Sequence, residues 1–138
     1  MARGVKVAGQ RHSTEGIIKS LIIGLIAGLA QCLFWGNLNP MGELPVTAIE
    51  TGEIVFIAPL FEEVFFRGFL YRYFRLKKYS VFKCVVLTSL IWTTIHFYSF
   101  NGSAVLFFSG LLLGYIRVKT KSIVAPIIMH CVWNFFVL

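Results

Sequence analysis

The sequence predicts an all-α fold, a multi-pass transmembrane bundle of about five helices with a cytoplasmic N-terminus. Three observations predict it. The 138 residues are 57% hydrophobic and only 14% charged, with a mean hydropathy of +0.78, outside the usual composition of a soluble domain. The apolar residues gather into five runs of about the length that a hydrocarbon core demands, roughly 17–25 residues for a helix. The basic residues alternate between the segments that join these runs, as the positive-inside rule requires.

The first run, Ile17 to Trp35, follows Arg3, Lys6 and Arg11 and carries Lys19. It exceeds the roughly 7–15 apolar residues of a cleaved signal, and "LAQC" at Leu29 to Cys32 puts Gln31 where a lipoprotein signal wants a small residue, so it reads as a retained helix. Gly24 and Gly28 form a GxxxG that lets another helix approach. The connection Gly36 to Glu53 has no Lys or Arg. The second run, Ile54 to Tyr73, contains Pro59, which removes one backbone hydrogen bond, crowds the Val55 carbonyl and predicts a kink that opens space beside Glu62. Arg72, Arg75, Lys77, Lys78 and Lys83 mark the passage into the third run, Val81 to Phe97. Tyr98 to Gly102 is again free of basic residues. The fourth run, Ser103 to Ile116, is short, which implies a tilt or ends that reach further, and holds a second GxxxG at Gly110 and Gly114. Arg117, Lys119 and Lys121 lead into the fifth, Ser122 to Leu138, with Pro126 placed for a first helical turn.

No repeat, low-complexity tract or long linker divides the chain, so residues 1–138 read as one integral membrane domain in the cell membrane. The net charge of +7 reads as topology and contact with the bilayer, with no nucleic-acid partner, because the basic residues sit in short connections. Cys32, Cys84 and Cys131 are odd in number, far apart and set in apolar runs, which fits buried thiols better than disulfides or a metal site.

Few groups able to do acid–base work fall inside the runs: Glu62, Glu63 and Arg67 in the second, His96 in the third, His130 and Asn134 in the fifth. Charge in hydrocarbon costs about 2.5–3.5 kcal/mol per residue on insertion scales, so it persists where it is paired or used. Glu63 and Arg67 are four apart, acid first, the better orientation for an ion pair that largely satisfies itself. Glu62 points about 100° away and needs a partner on another helix, a water-filled cavity or a proton, as a general base does. His130 and Asn134, four apart, can address a single oxygen, as oxyanion stabilisation requires. Trp92, four before His96, can pack along the imidazole and fix its rotamer.

"EEVFFRG" at Glu62 to Gly68 resembles the EExxxR motif of the CAAX protease and bacteriocin-processing family, which includes the type II CAAX prenyl endopeptidases. Trp92 with His96 resembles the second motif, with tryptophan where phenylalanine is usual, and "HCVWN" at His130 to Asn134 resembles the third, HxxxN. The resemblance places a protease core at residues 55–138. It implies an intramembrane endopeptidase acting on a hydrophobic or lipidated peptide. Glu62 would activate a water with help from His96, His130 and Asn134 would stabilise the oxyanion, and Glu63 and Arg67 would hold the site in shape. No cofactor is expected: a divalent metal on one carboxylate and two histidines is the less favoured alternative, since HExxH is absent. A non-catalytic bacteriocin-immunity or membrane interaction protein, or a small solute- or ion-binding protein, remain open on the same residues.

Overall fold

The computed structural model describes residues 14–35, 47–96 and 100–137. The N-terminal basic residues Arg3, Lys6 and Arg11 and most of the Gly36 to Glu53 connection lie outside them. The described residues form five helices and no strand. Helix α1 is Thr14–Trp35. Helix α2 is a continuous rod from Ala48 to Leu76 in which α-helical pieces alternate with two π-helical stretches, Glu53–Ile57 and Val64–Leu70. Helices α3, α4 and α5 are Val81–Ile95, Phe100–Thr120 and Val124–Val137. The short fourth run is thus resolved by length: α4 has 21 residues, because polar ends such as Gly102 and Thr120 are helical without being apolar.

Two stretches, Thr14–Leu33 and Gly102–Thr120, are long and apolar enough to cross a membrane by length and composition, and Val81–Ile95 and Val124–Val137 are shorter apolar helices. The distribution of polarity is inverted relative to a water-soluble bundle. Ser20, Gln31, Glu63, Arg67, Ser89 and His130 are buried, while Ile22, Ile26, Phe56, Phe61, Phe82 and Phe108 are exposed. Exposed apolar side chains in this number mark surface that contacts a membrane or another protein.

Both glycine pairs work as close-approach surfaces. A Cβ on Gly28 would lie 2.7 Å from Val132 Cβ, and one on Gly24 would lie 3.0 Å from Ile128 Cβ, so α1 packs on α5 through its glycines. A Cβ on Gly114 would lie 2.6 Å from Val85 Cγ1, and one on Gly110 would lie 3.0 Å from Ser89 Cβ, so α4 packs on α3 in the same way. Small residues at helix crossings let backbones approach where lipid offers no hydrophobic drive. Two buried hydroxyls on α3 satisfy themselves locally, Thr88 Oγ1 donating to the Cys84 carbonyl at 2.9 Å and Ser89 Oγ to that of Val85 at 2.8 Å. Gln31 of α1 reaches Ser109 Oγ of α4 at 2.9 Å, a buried link between distant helices.

Helix α2 carries the consequence of Pro59. It begins with a capping box at Thr47 and Glu50. It then widens, with the Ala58 N–H donating to the Glu53 carbonyl five residues back. In that register the natural partner of residue 59 is the Ile54 carbonyl, and proline has no N–H to give it. Asn134 of α5 supplies the missing donor, Nδ2 to Ile54 O at 2.8 Å. The carbonyl left to the proline is therefore that of Ile54, one residue before the Val55 expected for an ideal helix.

Candidate active site

The six polar residues singled out above lie on α2, at the C-terminal end of α3 and on α5, and the structure links five of them, all but Asn134, into two neighbouring groups that share Trp92. The first group is fully enclosed. Arg67 Nη1 donates to Glu63 Oε1 at 3.0 Å with both side chains buried. Arg67 Nη2 donates to the Gly110 carbonyl at 3.3 Å, and the guanidinium lies 5.0 Å from the centre of the Trp92 ring. The pair was expected to satisfy itself, yet the same Glu63 Oε1 also accepts from His130 Nδ1 at 3.0 Å. A charge this deep needs more than one donor, and a partner on α5 adds one that the spacing along α2 could not reveal.

The second group is partly open. Glu62 keeps 22% of its side chain exposed and meets two partners on α3. Trp92 Nε1 donates to Oε2 at 2.5 Å, and His96 Nε2 lies 3.5 Å from Oε1. His96 Nδ1 is 2.8 Å from the Trp92 carbonyl oxygen, an atom that only accepts, so Nδ1 carries a proton there. The imidazole lies with its ring centre 5.1 Å from the indole, which bears out the expected packing of Trp92 along His96. The other histidine, His130, meets the indole edge-on at 5.5 Å. Trp92 is thus the hub between the two groups, and its side chain is buried.

Asn134 departs from its expected pairing. It sits one turn beyond His130, but its amide donates to Ile54 O while His130 Nδ1 turns to Glu63. Each residue spends one hydrogen on architecture. Among the described residues, one amide hydrogen of Asn134 and His130 Nε2 have no such commitment.

Among the described residues, no three His, Cys, Asp or Glu side chains gather as a metal-binding group. Of the carboxylate and two histidines weighed for a metal, Glu62 Oε2 holds the indole N–H and His130 Nδ1 faces Glu63, while Glu62 Oε1 and His96 Nε2 face each other. Cys32, Cys84 and Cys131 are free thiols on separate helices. An apolar groove of about 380 Å³ runs between α1, α2 and α5, lined by residues that include Leu25, Val55, Phe56, Cys131 and Phe135.

A sequence model of the type II CAAX prenyl endopeptidase Rce1-like family matches residues 19–136, which takes in α2, α3 and α4 entire, α5 but for its last residue, and most of α1. The chain belongs to this family. The Rce1-like proteins are membrane-embedded proteases, so the chain is a peptidase at the level of its family, acting on peptide in a membrane. No curated protein and no solved structure matches it.

Two features of this candidate site escaped the sequence. The first is the Trp92 donor to Glu62, for which one signal existed: a buried indole N–H needs an acceptor, and Glu62 was the carboxylate without a helical partner. The second is the contribution of α4, whose Gly110 carbonyl receives Arg67. Backbone acceptors leave no mark in residue identity.

Proposed function

We propose that this Rce1-like protein is a multi-pass intramembrane endopeptidase of the cell membrane that hydrolyses a peptide bond of a hydrophobic or lipidated substrate with a water activated by Glu62. The observation that carries the reading is the pairing of Glu62 Oε1 and His96 Nε2, 3.5 Å apart in the partly open part of the site. With the His96 proton committed at Nδ1, both facing atoms are acceptors when the ring is neutral, and a water can donate to both at once.

From that position the water attacks a scissile carbonyl while its proton passes to Glu62. His130 Nε2 and the uncommitted hydrogen of Asn134 face the developing oxyanion. His130 offers a proton there when its ring is charged, and Glu63 at Nδ1 is the counter-charge for that form. Collapse of the tetrahedral species breaks the C–N bond, and Glu62 returns its proton to the leaving amine. Residues 55–138 act as the protease core, with Glu63 and Arg67 holding the site in shape. The mechanism as proposed uses no metal.

The decisive experiment incubates detergent-solubilised protein with a library of hydrophobic and lipidated peptides. Glu62→Gln keeps size and most hydrogen bonding while removing the proton acceptor. Hydrolysis should fall by about 10²–10⁴ with the fold intact. Product formation at the wild-type rate in Glu62→Gln would sink the glutamate mechanism, and no product from any form would favour an immunity or solute-binding protein on the same scaffold. For the membrane topology, reporter fusions after Gly42 and Gly102 should report outside and one after Lys78 inside; a reversed loop refutes the five-span orientation.

A further inference from the structure

We infer that Trp92 is a positioning residue that sets both halves of the water-activating pair, an inference that rests on the reading of Glu62 as the base. Its side chain and its backbone act on different partners. The indole N–H holds Glu62 Oε2 at 2.5 Å, and the carbonyl oxygen of the same residue takes the His96 Nδ1 proton at 2.8 Å. The first contact fixes the carboxylate so that Oε1, the other oxygen, faces His96. The second fixes the tautomer so that Nε2, the unprotonated nitrogen, faces Oε1.

The indole is itself held from several sides. The Arg67 guanidinium lies 5.0 Å from its ring centre, and the ring centres of His96 and His130 lie 5.1 Å and 5.5 Å away, the latter ring perpendicular to the indole. A tryptophan merely packed in the core would leave Glu62 free to turn in its partly open pocket. Here the enclosed Glu63–Arg67–His130 group fixes the ring, and the ring fixes the base. Phenylalanine at this place would fill much of the volume and supply no donor.

The test removes only the N–H. Replacing Trp92 by β-(3-benzothienyl)alanine puts sulfur in place of the indole nitrogen and keeps the ring shape, and Trp92→Phe is its genetically encoded companion. The benzothienyl protein should lose about 10–100-fold in kcat with KM within about twofold of wild type, since a misplaced base lowers the rate without weakening substrate binding. Its thermal midpoint should stay close to wild type, which also serves where Trp92→Phe folds poorly. Wild-type kcat in the benzothienyl protein, or a loss confined to KM, overturns the inference. Glu62→Gln run alongside separates the two readings: if it is inactive while the benzothienyl protein keeps full kcat, the positioning role alone falls, and if it retains full activity both fall.

Discussion

Arg67→Met tests whether the enclosed ion pair is architectural. Methionine keeps an unbranched stem of similar reach and removes the guanidinium, which is buried against Glu63 at 3.0 Å and the Gly110 carbonyl at 3.3 Å. Breaking a buried pair typically costs about 3–5 kcal/mol, because the surviving charge is left uncompensated. Glu63 would retain the His130 Nδ1 contact at 3.0 Å, so the cost should fall toward the lower end, about 3 kcal/mol. Glu63→Leu strands Arg67 with one carbonyl and should cost more, about 4–5 kcal/mol. The double variant Glu63→Leu with Arg67→Met removes both charges and leaves His130 Nδ1 without its acceptor, an orphan worth about 1–3 kcal/mol. It should therefore be more stable than either single variant. Thermal and denaturant unfolding of the four proteins in one detergent gives the cycle, and a loss of about 3 kcal/mol corresponds to a fall in Tm on the order of 10 °C. Single variants within about 0.5 kcal/mol of wild type, or a double variant as unstable as the sum of the two, would refute the buried-pair account.

Asn134→Ala should lose both stability and turnover: about 1–3 kcal/mol from the orphaned Ile54 carbonyl, and about 10²–10³ in kcat if its second hydrogen serves the oxyanion, read by unfolding and by initial rates on the same preparation. Unchanged stability would show that the Ile54 contact carries no weight. Two glycines should respond in opposite senses to alanine. Gly28→Ala drives a Cβ to 2.7 Å from Val132 and should cost about 1–3 kcal/mol, whereas Gly52 is helical with nothing within 4 Å and should gain about 0.5–1 kcal/mol on becoming alanine. Equal thermal midpoints for the pair would remove the close-approach role assigned to α1.

The helices were legible because hydrocarbon demands long apolar runs, and the glycine pairs because only small residues let two such helices touch. Within the site, spacing exposed what lies along one helix and nothing across helices. Glu63 and Arg67 were found as a pair at four residues, and the His130 contact that completes them was not, since it depends on how α2 and α5 are rotated about their axes. That rotation is where sequence reading loses its grip. Each π-helical stretch takes extra residues into a turn, and α2 has one on either side of Glu62 and Glu63, so helical counting assigns faces there with a growing error.

Pro59 shows the size of that error and its chemical weight. Counting in an ideal helix named Val55 as the affected carbonyl; the widened turn makes it Ile54. A slip of one residue moves the vacancy to where Asn134 answers it at 2.8 Å, and so turns a residue expected to serve only chemistry into one that also closes the α2–α5 interface. The proline and the asparagine are then two halves of one device. Removing the ring by Pro59→Ala would return an N–H to the helix, compete with Asn134 for the Ile54 carbonyl and release the amide. On the proposed mechanism that release costs the oxyanion a fixed donor even though no catalytic group has changed. A fall in kcat for Pro59→Ala, with thermal stability held or raised, is what the device requires, and wild-type kcat would show that Asn134 is held in place by something other than the carbonyl that Pro59 leaves open.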